Sequence, residues 1–152
     1  MPNLKTTEVD QLEHLGSAET SYPTSGPSHH ILESFDNPRP GRNYTINLDF
    51  PEFTSHCPKT GQPDFATMSV KYVPGLKCVE TKSLKLYYFA WRSEGAFMEN
   101  IVNTILDDLV EAINPDYMVV TGSFNARGGI PVKPVAIHVS PDFDMAAYRL
   151  TL

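Results

Sequence analysis

Tyr44-Thr45-Ile46-Asn47-Leu48-Asp49-Phe50 is the run that decides how this chain folds. Tyr44, Ile46, Leu48 and Phe50 alternate with Thr45, Asn47 and Asp49, which is the two-residue period of a half-buried strand. The same period returns over 66–73, where Met68, Val70 and Tyr72 share a face. It returns again over 117–124 and 132–139, two runs separated by Asn125-Ala126-Arg127-Gly128-Gly129-Ile130-Pro131, whose glycines and proline mark a turn. Between the two strand pairs the period lengthens. Phe97, Ile101, Ile105 and Leu109 form one i, i+4 row and Met98, Val102, Leu106 and Val110 a second, closed by Asn114-Pro115. That is an amphipathic helix of about four turns. The segment 83–93 suits a strand through Leu84, Leu86 and Tyr88 and a helix through Leu84, Tyr87, Tyr88 and Trp91; we take it as a helix. The predicted order, β-β-α-α-β-β, fits an α+β layer fold: a four-stranded antiparallel sheet with two helices on one face. Two sheet edges stay open in such a layer, and pairing with other subunits into a ring would cover them.

At 152 residues, with 41% hydrophobic and 11% aromatic content, the chain suits one domain with a real core. Residues 1–42 are rich in Ser, Thr, Pro, Glu and His and carry no sustained apolar period, so they read as an N-terminal arm, partly mobile, ahead of a single catalytic domain over 43–152. The net charge of −6 comes without a basic cluster, which argues against direct nucleic-acid binding. No apolar run approaches the roughly 20 residues of a membrane span, and the expected location is the cytoplasm. Cys57 and Cys78 read as two free thiols, and neither sits in a zinc-ligand spacing.

The chemistry concentrates in Phe53-Thr54-Ser55-His56-Cys57-Pro58-Lys59-Thr60-Gly61-Gln62-Pro63-Asp64, which reads as a rigid loop joining two strands, with a thiol and a carboxylate seven residues apart. A free cysteine is most often a small buried hydrophobe. Its neighbours here suit an exposed loop instead, and His56 and Lys59 are positioned in sequence to lower its pKa. Asp64, an ordinary turn residue on its own, becomes a candidate general acid beside that thiol. In Glu80-Thr81-Lys82-Ser83-Leu84-Lys85-Leu86-Tyr87 the two lysines share one side of a helix start, and with the Ser83 hydroxyl and free helix N–H groups they suggest a phosphate grip. A solvated basic face is the plainer alternative. Glu99 lies in the first turn of the long helix, where the dipole favours a carboxylate in any case and where it could also capture a guanine-like N–H edge. Arg127 reads as a ligand for a phosphate or for a neighbouring acid. No Gly-x-Gly-x-x-Gly is present, so no Rossmann cofactor site is expected.

Taken in order, the Cys57–Asp64 loop, the Glu80–Tyr87 run and Gly95-Ala96-Phe97-Met98-Glu99-Asn100-Ile101-Val102-Asn103-Thr104-Ile105 resemble the short, single-domain NADPH-dependent 7-cyano-7-deazaguanine reductases, the QueF-type nitrile reductases. The resemblance spans about 44–131. It implies the tunnelling fold (T-fold), with subunits pairing sheets into rings, active sites between them, and a homo-oligomer that is usually a decamer of two pentamers. It implies reduction of the deazapurine nitrile to an aminomethyl group in queuosine tRNA modification, with two NADPH and no metal. Cys57 would form a covalent thioimide and Asp64 would deliver the proton. Val79, Glu80, Thr81, Met98 and Glu99 would hold the substrate, while Lys82, Ser83, Lys85 and Arg127 would face the NADPH phosphates. One departure stands out: the family often has histidine where this chain has Met98, a side chain that packs on a ring but donates no proton. An amidinotransferase-like relative adding ammonia to the same nitrile would lack the lysine run, and GTP cyclohydrolase, which shares the fold, would want zinc ligands. A non-catalytic oligomeric purine-binding protein is the alternative from another class.

Overall fold

The structure is a computed structural model and describes residues 21–147. Its main sheet is antiparallel throughout. Strands β2 (Ile46–His56) and β3 (Pro63–Val73) form a long hairpin, β5 (Tyr117–Phe124) pairs with β3, and β6 (Val135–Val139) closes the order β2-β3-β5-β6. Between the two strand pairs run helices α1 (Thr81–Ala90) and α2 (Met98–Ile113), as the change of period in the sequence predicts.

Helix α2 buries its two apolar rows against the sheet. Ile101, Ile105 and Leu109 are fully buried, and so are Met118 and Val120 on β5 beneath them. The fit is close at Gly122, where an added Cβ would lie 2.7 Å from Val102 Cγ2. Phe97 departs from its predicted row: it is the extended N-cap residue of α2 and is 58% exposed. The last strand also differs, because Pro134 cannot donate to a ladder. Regular pairing therefore starts at Val135, although the carbonyls of Val132 and Pro134 still accept from Phe124 and Gly122 of β5.

A second, two-stranded sheet joins β1 (Ser34–Asp36) to β4 (Lys77–Val79), neither of which is periodic enough to see in the sequence. Leu32 is buried, the Glu33 N–H donates to Ser83 Oγ at 2.9 Å, and Asn37 donates to the Gly75 carbonyl at 2.8 Å. The second half of the 1–42 segment is thus fastened to the folded body, while residues 1–20 lie outside the described residues.

One irregularity in β2 matters more than the rest. The β2–β3 register runs from Ile46 opposite Tyr72 to Phe50 opposite Met68, then resumes with Phe53 opposite Ala66, so β2 carries one extra residue at Pro51-Glu52. A bulge of this kind reverses which side chains face the core. Ile46, Leu48 and Phe50 face the helices before it; Phe53 and Ser55 do so after it, and Cys57 continues that alternation. Without the extra residue Cys57 would point to the opposite side of the sheet from α2.

Candidate active site

The strands continue through His56 and from Pro63, so the predicted loop of 53–64 shrinks to the six residues 57–62. The Cys57 N–H donates to the Gln62 carbonyl and the Gly61 N–H to the Cys57 carbonyl, both at 2.9 Å, with Gly61 in the left-handed region at φ 69°. The loop is therefore held by its own backbone. Cys57, 8% exposed, has its thiol pKa lowered to about 6, chiefly by a hydrogen bond from the Thr60 hydroxyl, then by the backbone N–H groups of Thr60 and Lys59, with a smaller contribution from Arg127. These donors stabilise the thiolate directly. The expectation that the charges of His56 and Lys59 would do so is corrected: His56 Nδ1 lies 3.2 Å from the Gly61 carbonyl, and Lys59 contributes only its backbone N–H.

Alkylation of Cys57 by iodoacetamide is expected to follow a midpoint near pH 6, and Thr60→Val to move that midpoint up by about one unit through loss of the hydroxyl donor. An unmoved midpoint would mean that Thr60 is not what holds the thiolate.

Asp64 opens β3 and is 3% exposed. Arg127 meets it with two nitrogens, Nε to Oδ1 at 3.0 Å and an NH2 group to Oδ2 at 3.3 Å. Of the two readings of Arg127, the neighbouring acid is the one seen in this structure. The turn after it, with Gly128 and Gly129 at positive φ, aims the guanidinium back at the hairpin.

The start of α2 is brought up to Cys57 by a short parallel contact: the His56 N–H donates to the Glu94 carbonyl at 2.9 Å and the Ala96 N–H to the His56 carbonyl at 3.1 Å. Gly95 makes this possible, since a Cβ there would sit 3.3 Å from Pro58 Cα. The result is a cleft of about 290 Å³ lined by Pro58, Phe97, Met98, Glu99, Arg127 and Ile130, among others. Thiol loop, cation and helix-start carboxylate thus share one opening.

The remaining predicted residues gather elsewhere. Val79 ends β4 and is buried, and Glu80 is the N-cap of α1, its two oxygens each accepting at 2.7 Å from the Lys82 and Ser83 N–H groups. The backbone donors expected to be free for a phosphate are therefore occupied. Ser83 is buried, its hydroxyl donating to the Glu80 carbonyl and accepting from Glu33, so its expected contact with a cofactor phosphate gives way to a structural role. Lys82 and Lys85 remain exposed. Thr81 and Lys85 line a second cavity of about 480 Å³ between β2 and α1, with Asn47, Phe50, Leu84 and Tyr88 among its other walls. No residue lines both cavities: Thr81 and Lys85 belong to one, Met98, Glu99 and Arg127 to the other.

The sequence profile of QueF-like proteins matches residues 63–142. A 7-cyano-7-deazaguanine reductase, NADPH-dependent by name, from Thioalkalivibrio sulfidiphilus is 57% identical over 74% of this chain and 87% of its own length. The chain belongs to the QueF-like family. A namesake reductase from Streptococcus mutans is 48% identical over 94% of this QueF-like chain and 90% of its own length. Among solved structures, the apo form of the archaeosine synthase QueF-Like superposes with a TM-score of 0.58 at 25% identity, covering 61% of this chain and 91% of that one. Of the groups that build the candidate site, Thr60, the bulge at Pro51-Glu52 and Gly95 do not stand out in the sequence. Only the bulge left a signal, in the break of alternation between Phe50 and Phe53.

Proposed function

We propose that the chain reduces 7-cyano-7-deazaguanine with NADPH, and that Cys57 is its nucleophile. The observation that carries this is a thiol with a pKa of about 6 next to Pro58, which lines a cleft shared with Arg127 and Glu99, with Arg127 reaching both the thiol and Asp64. The Cys57 thiolate attacks the nitrile carbon; the carbon–sulfur bond forms, one carbon–nitrogen π pair moves to nitrogen, and the Asp64 carboxyl gives up its proton there. NADPH, held through Lys82 and Lys85, would supply one hydride in each of two rounds, and Cys57 would leave as the thiolate between them. Glu99 holds the ring's N–H edge, and Met98 packs on its face. Because Met98 has no proton to give, protons reach nitrogen through Asp64 or from water.

The cavity between β2 and α1 suits a phosphate-bearing heteroaromatic cofactor: Leu48, Phe50, Leu84 and Tyr88 give it apolar walls, and Lys85 a cation at the rim. Lys82 and Lys85 are the phosphate ligands of this reading. The half-sites in one chain fit a homo-oligomer in which the Val79-Glu80-Thr81 corner of one subunit closes over the Cys57 cleft of the next. The open edge strand β6 carries Val135, Ile137 and Val139 at 53%, 59% and 42% exposure, an apolar row suited to such pairing.

The test is stoichiometry. Two NADPH consumed per nitrile, with the aminomethyl product, is the expected result; nitrile turnover with ammonia and without NADPH would reassign the chain to amidine formation, and tight nitrile binding without turnover would make it a binding protein.

A further inference from the structure

Ser55 is fully buried, and its Oγ has no hydrogen-bond partner among the described residues. A buried hydroxyl in that state is uncommon and costly. Its place in the sheet is specific. Ser55 stands directly opposite Asp64 in the β2–β3 register, two residues before Cys57, and the bulge at Pro51-Glu52 turns it to the same face as both. Side chains directly opposed on antiparallel strands have Cβ atoms roughly 4.5–5.5 Å apart, so a turn about χ1 brings a serine hydroxyl to the facing carboxylate. Both Asp64 oxygens meanwhile face Arg127, whose side chain is 36% exposed and lines the cleft. The guanidinium can leave; Asp64 and Ser55 cannot.

We propose that Ser55 is a positioning residue for Asp64: when a ligand in the cleft draws Arg127 away, the Ser55 hydroxyl donates to the carboxyl oxygen that Arg127 releases. It thereby holds the carboxyl with its other oxygen toward the substrate nitrogen. The proton that moves is the one on Asp64: its O–H bond breaks, an N–H bond forms, and the electron pair stays on the carboxylate. Ser55 keeps its own proton throughout. This rests on the reading of Asp64 as the proton donor. The charged or titratable groups around Asp64 are Arg127 from the turn after β5, Cys57 and His56 at the end of β2, and Glu99 across the cleft on α2. Glu99 and His56 do not reach its oxygens in this structure.

Without the hydroxyl the carboxyl loses the hydrogen bond that fixes its orientation toward the substrate nitrogen. With nitrile and NADPH both saturating, Ser55→Ala is expected to lower kcat about tenfold while KM for the nitrile stays within about twofold of the parent, because the bond exists only once the ligand is in place. The isosteric pair Ser55→Thr and Ser55→Val repeats the comparison at constant shape, with threonine keeping the kcat of the parent and valine falling to that of alanine. The Cys57 alkylation midpoint reports that the loop remains folded in each. An unchanged kcat in Ser55→Ala, or equal kcat for threonine and valine, overturns the proposal. A parent enzyme that consumes no NADPH overturns the functional reading instead.

Discussion

Cys57→Ala is expected to abolish NADPH consumption, by at least about 10³-fold, because a covalent route has no substitute when its nucleophile is missing. The fold should not follow. The loop around Cys57 closes through backbone hydrogen bonds to Gln62 and from Gly61, none of which uses the thiol. The melting temperature is therefore expected to stay within about 2 °C of the parent, and the nitrile should still bind through Glu99 and its neighbours. If the substrate site is built from two subunits, the same variant gives a second result. Mixing Cys57→Ala with Glu80→Gln, each inactive alone, should restore part of the activity on subunit exchange, since one kind of interface then pairs an intact Cys57 with an intact Glu80. Retained turnover in Cys57→Ala would remove the covalent route. Failure of the mixture to recover, with exchange demonstrated by mass, would place the whole site within one chain.

The fold was legible because its signals are local and long. The period-2 runs of β2, β3 and β5 and the two apolar rows of α2 each extend over seven residues or more, enough to overcome chance. The short strands β1 and β4 hold three residues apiece and exist only because they pair with each other, which no local pattern records. At the site, Cys57, Asp64 and Glu99 could be named from residue type and spacing, yet what acts on them could not. The thiolate is held by Thr60 and two backbone N–H groups whose direction depends on the loop's exact turn; a formal charge at Lys59 is visible in a sequence, an oriented N–H is not. Glu80 and Ser83 show the converse. Both look like ligands by composition, but a helix start leaves N–H groups unpaired, and the Glu80 carboxylate is held there by the Lys82 and Ser83 N–H groups, so a ligand role for it is shared with capping.

Asp64→Asn separates the two things Asp64 does. As proton donor its loss is expected to lower kcat by about 10² to 10⁴-fold. As partner of Arg127 its loss acts on the thiol, and the sign is opposite to that of simple damage. With the carboxylate gone the guanidinium keeps its charge uncompensated beside Cys57, the thiolate gains stabilisation, and the alkylation midpoint should fall below the parent value of about 6. Arg127→Met is expected to move the midpoint the other way, because it removes one of the groups that lowers the thiol pKa. Stability changes little by comparison, about 1 kcal/mol for Asp64→Asn, since Arg127 has access to water and need not stay buried without a partner. A variant with a more reactive thiol and a slower reaction would show that thiolate formation does not limit turnover. The proton placed on nitrogen would then be the step that Asp64 carries.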